Sequence, residues 1–316
     1  MASFLSAARP VDAKLAKFSL EGVSAFLCYT SPMPIALALI AILIWSTLAL
    51  VGARLNAVPA LLVLGITLSL SGLSSLFLRG AWRVPLKVLA VGVGGIFGYH
   101  FLYFRAFALA PAVEANLINY LWPLLIVALS PLILPGYALL PRHILGALLG
   151  LSGAALIVTG GKLSLQAAAL PGYLLALGAA FTWALYSLLT KRLPPFSTAT
   201  VSAFCAVSGL LSLGMYALSG QGWQPVADLA PLDWLFLVLA GLGPMGAAFF
   251  FWDAALKKGD PRVIGSLAYL TPLLSTLNLV LIGGKQLTPL SFLAMCLIIA
   301  GAVVGSWANS NSSAAA

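Results

Sequence analysis

Apolar stretches of about 20 residues recur along the whole chain, separated by short clusters of Pro, Gly and charged residues. About 20 apolar residues are what a helix needs to cross roughly 30 Å of hydrocarbon. Cutting at the punctuating clusters predicts ten spanning helices, at 34–52, 57–78, 86–108, 112–134, 141–160, 171–190, 199–219, 232–252, 262–282 and 288–307. Most of the connections between them are very short. The pattern therefore predicts an all-α integral membrane protein. A single anchor or a cleaved signal would not repeat in this way. Residues 1–32 are mixed in character and read as a disordered N-terminal extension, and residues 308–316 as a disordered polar tail.

Composition agrees, with 62% hydrophobic and 7% charged residues in 316, against about a quarter charged in soluble domains. The net charge of +9 raises the question of nucleic acid. The basic residues nevertheless sit singly or in pairs at the ends of apolar runs, which makes them topology signals and argues against nucleic-acid binding. Alternating the sides puts 12 Lys and Arg on the face of the amino terminus and 4 on the other, accounting for all 16. Both termini are thus expected in the cytoplasm, with the chain in a bacterial inner (plasma) membrane. Cys28, Cys205 and Cys296 have no metal-ligand spacing and are expected to be small core residues. Neither a metal nor a cofactor is expected.

The sequence also repeats. NYLWPLL at 119–125 reads against AYLTPLL at 268–274, and GYHFLYFRA from Gly98 reads against GAAFFFWDA from Gly246. Trp45 precedes Arg54 and Leu55 by the same spacing as Trp183 precedes Arg192 and Leu193. The predicted units are 33–162 and 163–307, each of five spans. Five is odd, so the second unit must enter the bilayer from the opposite face. An inverted repeat gives a transporter two related conformations, one open to each side, with the cargo site between the halves. Duplication kept for packing alone is the plainer alternative. Gly146 with Gly150 and Gly301 with Gly305 form a GxxxG in the last helix of each half, suited to packing within the bundle or to a dimer face.

Two five-helix halves, a Trp in the first helix of each, and the Pro-centred YLWPLL and YLTPLL resemble the drug/metabolite transporter superfamily, EamA type. The stretch GYHFLYFRAFALAPAVEANLINYLWPLL is similar to the aromatic amino acid exporters within it. The resemblance covers about residues 33–307. It implies a ten-helix bundle with a central cavity that exports amino acids, chiefly aromatic ones, from the cytoplasm.

The residues themselves nominate a site. On a helix, Tyr99, Tyr103 and Phe107 share a face, with His100 beside them. His100 lies about 12 residues into its span, roughly 18 Å along the axis and slightly past the midplane. Buried polar groups in a membrane usually face the bundle interior or water; a satisfied core histidine is the plainer reading. The fourth span adds Asn116, Asn119, Tyr120 and Trp122 before Pro123. Proline removes a backbone donor, so Pro123 should free the carbonyl of Asn119, and Pro272 that of Ala268. Both prolines are also candidate hinges. Trp183, with Ser187 one turn on, could stack on an aromatic cargo; Ser266 and Tyr269 are weaker candidates. In the second half Ala247 and Ala248 replace Tyr99 and His100, so the polar cluster is one-sided.

Glu114, Asp228, Asp233 and Asp260 fall near span ends, and Asp253 beside Lys257 suggests an interfacial ion pair. Because no carboxylate is expected at mid-membrane, a neutral histidine and gradient-driven movement follow. No catalytic constellation is present, so an enzyme is not expected. Nothing places Lys or Arg where a phosphate ester would sit, which favours zwitterionic or neutral cargo. The expected function is alternating-access uniport of aromatic amino acids by a monomer, with a homodimer as the alternative state. Coupled export of other small metabolites, a channel, and a polytopic enzyme are the competing functions.

Overall fold

The computed structural model describes residues 32–281 and 288–306. The expectations for residues 1–31, for the tail and for Cys28 lie outside them. Among the described residues the chain is helical and has no strand. We number the helices α1 Pro32–Trp45, α2 Leu48–Arg54, α3 Ala60–Gly72, α4 Leu86–Val93, α5 Tyr99–Leu109, α6 Ala112–Asn119, α7 Trp122–Ile133 and α8 Pro141–Thr159. They continue as α9 Leu170–Arg192, α10 Thr200–Leu218, α11 Pro231–Leu242, α12 Ala248–Lys258, α13 Pro261–Leu267, α14 Leu270–Leu281 and α15 Pro289–Ser306.

Helix coincides with each predicted span. Eight continuous runs are long and apolar enough to cross a membrane by length and composition. The other two predicted spans differ. The second is the shorter apolar run Ala60–Leu76, and the ninth divides into α13 and α14.

Several spans are interrupted in ways that follow from local chemistry. The first breaks after Trp45, where Ser46 and Thr47 turn their hydroxyls back onto the carbonyls of Leu43 and Ile44 at 2.7 Å. Such back-bonding competes with the helical ladder. Asn278 Nδ2 then donates to Ser46 Oγ at 3.0 Å, tying the break to α14. Wide π-turns, Gly94–Gly98 and Gly243–Ala247, join α4 to α5 and α11 to α12. Both are rich in glycine, and π-turns concentrate where a helix must re-aim side chains at a site.

The most extensive contacts are α8 with α15, α3 with α10, α5 with α9 and α1 with α12. Exchanging one half of the chain for the other maps the first two pairs onto themselves and interchanges the last two.

The GxxxG glycines are used inside the bundle. A Cβ on Gly146 would lie 2.5 Å from Gly305 Cα, and one on Gly301 would lie 2.6 Å from Gly150 N, so α8 and α15 touch backbone to backbone. The core contains Trp45, Trp122, Trp183, Phe249 and Trp252. Cys205 is buried and free, but Cys296 is exposed. That corrects the expectation for Cys296: α15 is apolar on every side, so an apolar run does not say which face turns inward.

Candidate functional site

A cavity of about 860 Å³ runs among these helices. Its mouth includes the exposed Gly52, Asn56, Ala60 and Ala112, at the Arg54 end of the bundle. Its floor is aromatic: Trp45, Trp122, Trp183 and Phe249 are each at most 8% exposed. Trp45 and Trp183 stand edge-on with ring centroids 5.8 Å apart, and Trp183 lies 5.6 Å from Phe249. Trp45 Nε1 donates to the Pro244 carbonyl at 3.0 Å, in the second π-turn, so the floor joins both halves.

One wall is a polar ladder. Tyr103 donates its hydroxyl to Asn116 Oδ1 at 2.7 Å, and Asn119 Nδ2 donates to Tyr99 Oη at 3.1 Å, linking α5 to α6. The two tyrosine rings stack at 5.7 Å and 11°. His100 is 5% exposed, and its Nδ1 lies 2.7 Å from the Ile96 carbonyl. A carbonyl only accepts, so Nδ1 carries the proton and a neutral ring offers Nε2 as a free acceptor. The histidine is thus both satisfied on its helix and part of the cavity wall.

The helix break before Pro123 lies beside this wall. Pro123 has no N–H, so the Asn119 carbonyl loses the donor that a continuous helix would give it four residues on. At the matching break of the other half the Ala268 carbonyl accepts the Thr271 N–H at 3.0 Å in a tightened turn. The freed carbonyl expected there is therefore not formed.

Tyr99, His100, Tyr103, Asn119, Tyr120, Trp122 and Trp183 all line the cavity. Ser187, Ser266 and Tyr269 do not. Ser187 Oγ instead accepts from Trp252 Nε1 at 3.1 Å, below the floor. Ser266 donates to the Arg262 carbonyl at 3.0 Å on its own helix. Tyr269 donates to the Tyr120 carbonyl at 3.2 Å, fastening the two helix breaks to each other. Pro123 and Pro272 are buried at these breaks. Trp45, Phe249, Thr271 and Ser275 line the cavity as well, beyond the candidates that the sequence nominates. Thr271 could have been found, because the repeat aligns it with Trp122.

Beyond the floor, the far end is closed. Lys191 Nζ donates to the carbonyls of Gly259 at 2.6 Å and Leu256 at 3.0 Å. Arg192 donates to the Ile133 carbonyl at 2.9 Å, and Arg262 donates to that of Ala138. Asp253 pairs with Lys257 at 2.7 Å and accepts from Thr198. The i,i+4 pair was expected, and the Asp253 side chain is buried within the bundle.

No Asp, Glu, Lys or Arg lines the cavity among the described residues. The space can therefore hold a ring against aromatic walls and meet a polar head with neutral groups, and it holds no charged acid or base for chemistry.

The chain matches the EamA-like transporter family twice, over residues 32–159 and 170–307. It is 40% identical to the aromatic amino acid exporter YddG of Ancylobacter novellus, over 84% of this chain and 93% of that protein. It is also 30% identical to the protein PecM of Dickeya dadantii (79% and 82%). To a probable amino-acid metabolite efflux pump of Salmonella typhimurium the identity is 24% (84% and 92%). A solved crystal structure 38% identical in sequence superimposes with a TM-score of 0.80, covering 86% of this chain and 94% of the other.

Proposed function

Since this chain belongs to the EamA-like transporter family and is a multi-pass membrane protein, we propose that it exports amino acids, chiefly phenylalanine, tyrosine and tryptophan. The observation that carries the reading is the uncharged cavity with its floor of three tryptophans and Phe249. Its similarity to an aromatic amino acid exporter supports the same cargo. An indole or phenyl ring stacks edge-on or offset against such a floor, while the Tyr99 and Tyr103 ladder faces the head group.

In this reading ten spans cross a bacterial inner membrane as two inverted halves, with both termini cytoplasmic, and the transporter works as a monomer. The interchangeable helix contacts support the two-fold relation. So do the ties at helix ends: Arg54 pairs with Asp233 at 2.8 Å at the mouth, while its counterpart Arg192 lies at the closed end. The positive-inside rule makes the mouth periplasmic and the closed end cytoplasmic. The conformation is then outward-open, and alternating access requires the Arg192 end to part.

Movement is passive in this account, because among the described residues no carboxylate lines the cavity to carry a coupled proton. The test is phenylalanine flux from proteoliposomes with and without an imposed pH gradient. We expect the initial rate to be the same in both. A gradient that accelerates export or drives it uphill would replace uniport with proton coupling.

A further inference from the structure

The cavity does not treat the two ends of an amino acid alike. At the break between α6 and α7 it offers acceptors. The Asn119 carbonyl has lost its helical donor to Pro123, and it ends α6, where the helix dipole is negative. The Asn119 side chain is 4% exposed, lines the cavity, and leaves Oδ1 without a partner. As placed, the amide spends Nδ2 on Tyr99 Oη at 3.1 Å, and Oδ1 is the open acceptor. Thr271 Oγ1, in the matching break of the other half, is also buried and unpartnered, and His100, with Nδ1 on the Ile96 carbonyl, contributes Nε2, which has no hydrogen-bond partner among the described residues. Buried polar atoms are seldom left unpaired unless a ligand or water completes them.

For a carboxylate the provision is poor. Among the described residues neither Lys nor Arg lines the cavity. Pro123 near the start of α7 also deletes one of the N–H groups with which a half-helix would hold an anion.

We propose that the α6–α7 break is an ammonium-binding pole, and that aromatic amines and amides lacking a carboxylate are cargo alongside the amino acids. This rests on the cavity being the cargo site. The aromatic floor takes the ring, and the ammonium turns to Asn119, Thr271 and His100. Such a cation also lies within reach of electron-rich ring faces. Unwound carbonyls and helix C-terminal ends serve cations in the same way in other transporters.

The test is the thermal unfolding midpoint of the purified full-length protein in detergent, titrated with phenylalanine, phenylalanine amide, 2-phenylethylamine and 3-phenylpropanoate. The amide and the amine should stabilise with apparent affinities within about tenfold of phenylalanine, and the acid should bind at least about tenfold more weakly. In Asn119→Leu the amine should lose about tenfold or more. In Asn119→Asp, which keeps an acceptor should the leucine variant not fold, the amine should gain relative to phenylalanine.

Binding of the acid with rejection of the amine would overturn the proposal. So would binding of phenylalanine alone, no binding by any probe, or an Asn119 variant in which the amine is unaffected. Binding of the amine without phenylalanine would leave the pole standing and sink the amino acid reading instead.

Discussion

Replacing His100 by alanine is expected to lower phenylalanine flux by about tenfold or more while leaving the protein folded. Its Nδ1–H is spent on the Ile96 carbonyl, a bond whose loss exposes no new charge. What the variant removes from the cavity is Nε2, an acceptor. A hydrogen bond to a charged group contributes about 1.5–3 kcal/mol, equivalent to roughly 10- to 150-fold in rate or affinity. His100→Gln, which restores an acceptor, should recover part of the loss. The second half carries Ala248 at the matching position, so the fold itself does not demand a histidine. Normal flux in the alanine variant, at normal expression and melting temperature, would reduce His100 to a core residue.

Loosening the closed end is expected to have a comparable effect on accessibility. Arg192 and Arg262 of the second half hold the Ile133 and Ala138 carbonyls of the first, and Tyr137 lies under the Arg262 guanidinium at 5.1 Å. These ties are partly exposed and individually weak, as a gate that must open requires. Only about 1.4 kcal/mol shifts a two-state equilibrium tenfold.

In a cysteine-free background, Ser187→Cys lies buried under the tryptophan floor and should resist maleimide. Adding Arg192→Gln and Arg262→Gln should raise its labelling at least about tenfold. Unchanged labelling would mean that packing around Trp252, and not these ties, seals the end.

Acidity should matter little to this gate. Burial works to raise the Asp260 carboxyl, but the hydrogen bonds and charge of Arg262 outweigh it and hold it below its ordinary value. A depressed carboxyl stabilises the fold above its unfolded value of about 3.9, and that contribution is lost only as pH falls through the folded value. Labelling, taken relative to an exposed cysteine at the same pH because only the thiolate reacts, should therefore stay flat from about pH 5.5 to about pH 8.

The helix positions were legible because hydrocarbon thickness and punctuation leave few alternatives. The site was legible where helical spacing and a removed donor act together, as at Tyr99, Tyr103 and Asn119. It was not legible where a polar side chain sits on a helix that is apolar all round. Ser187, Ser266 and Tyr269 turn toward a neighbouring group that satisfies them, and one sequence does not reveal that neighbour. Pro272 misled for another reason: a tightened turn at Ala268 recovers the hydrogen bond that proline removes. The break after Trp45 was equally hidden, since Ser46 and Thr47 also occur in straight helices, and Asn278, which ties the break to α14, is 232 residues away.

The central claim is that the tryptophan-floored cavity carries aromatic amino acids across the bilayer. Counterflow measures this most directly: purified protein in liposomes preloaded with unlabelled phenylalanine, with tracer phenylalanine outside. We predict saturable tracer accumulation, competed by tyrosine and tryptophan and weakly or not at all by alanine. The absence of saturable flux for all three aromatic amino acids would contradict the account.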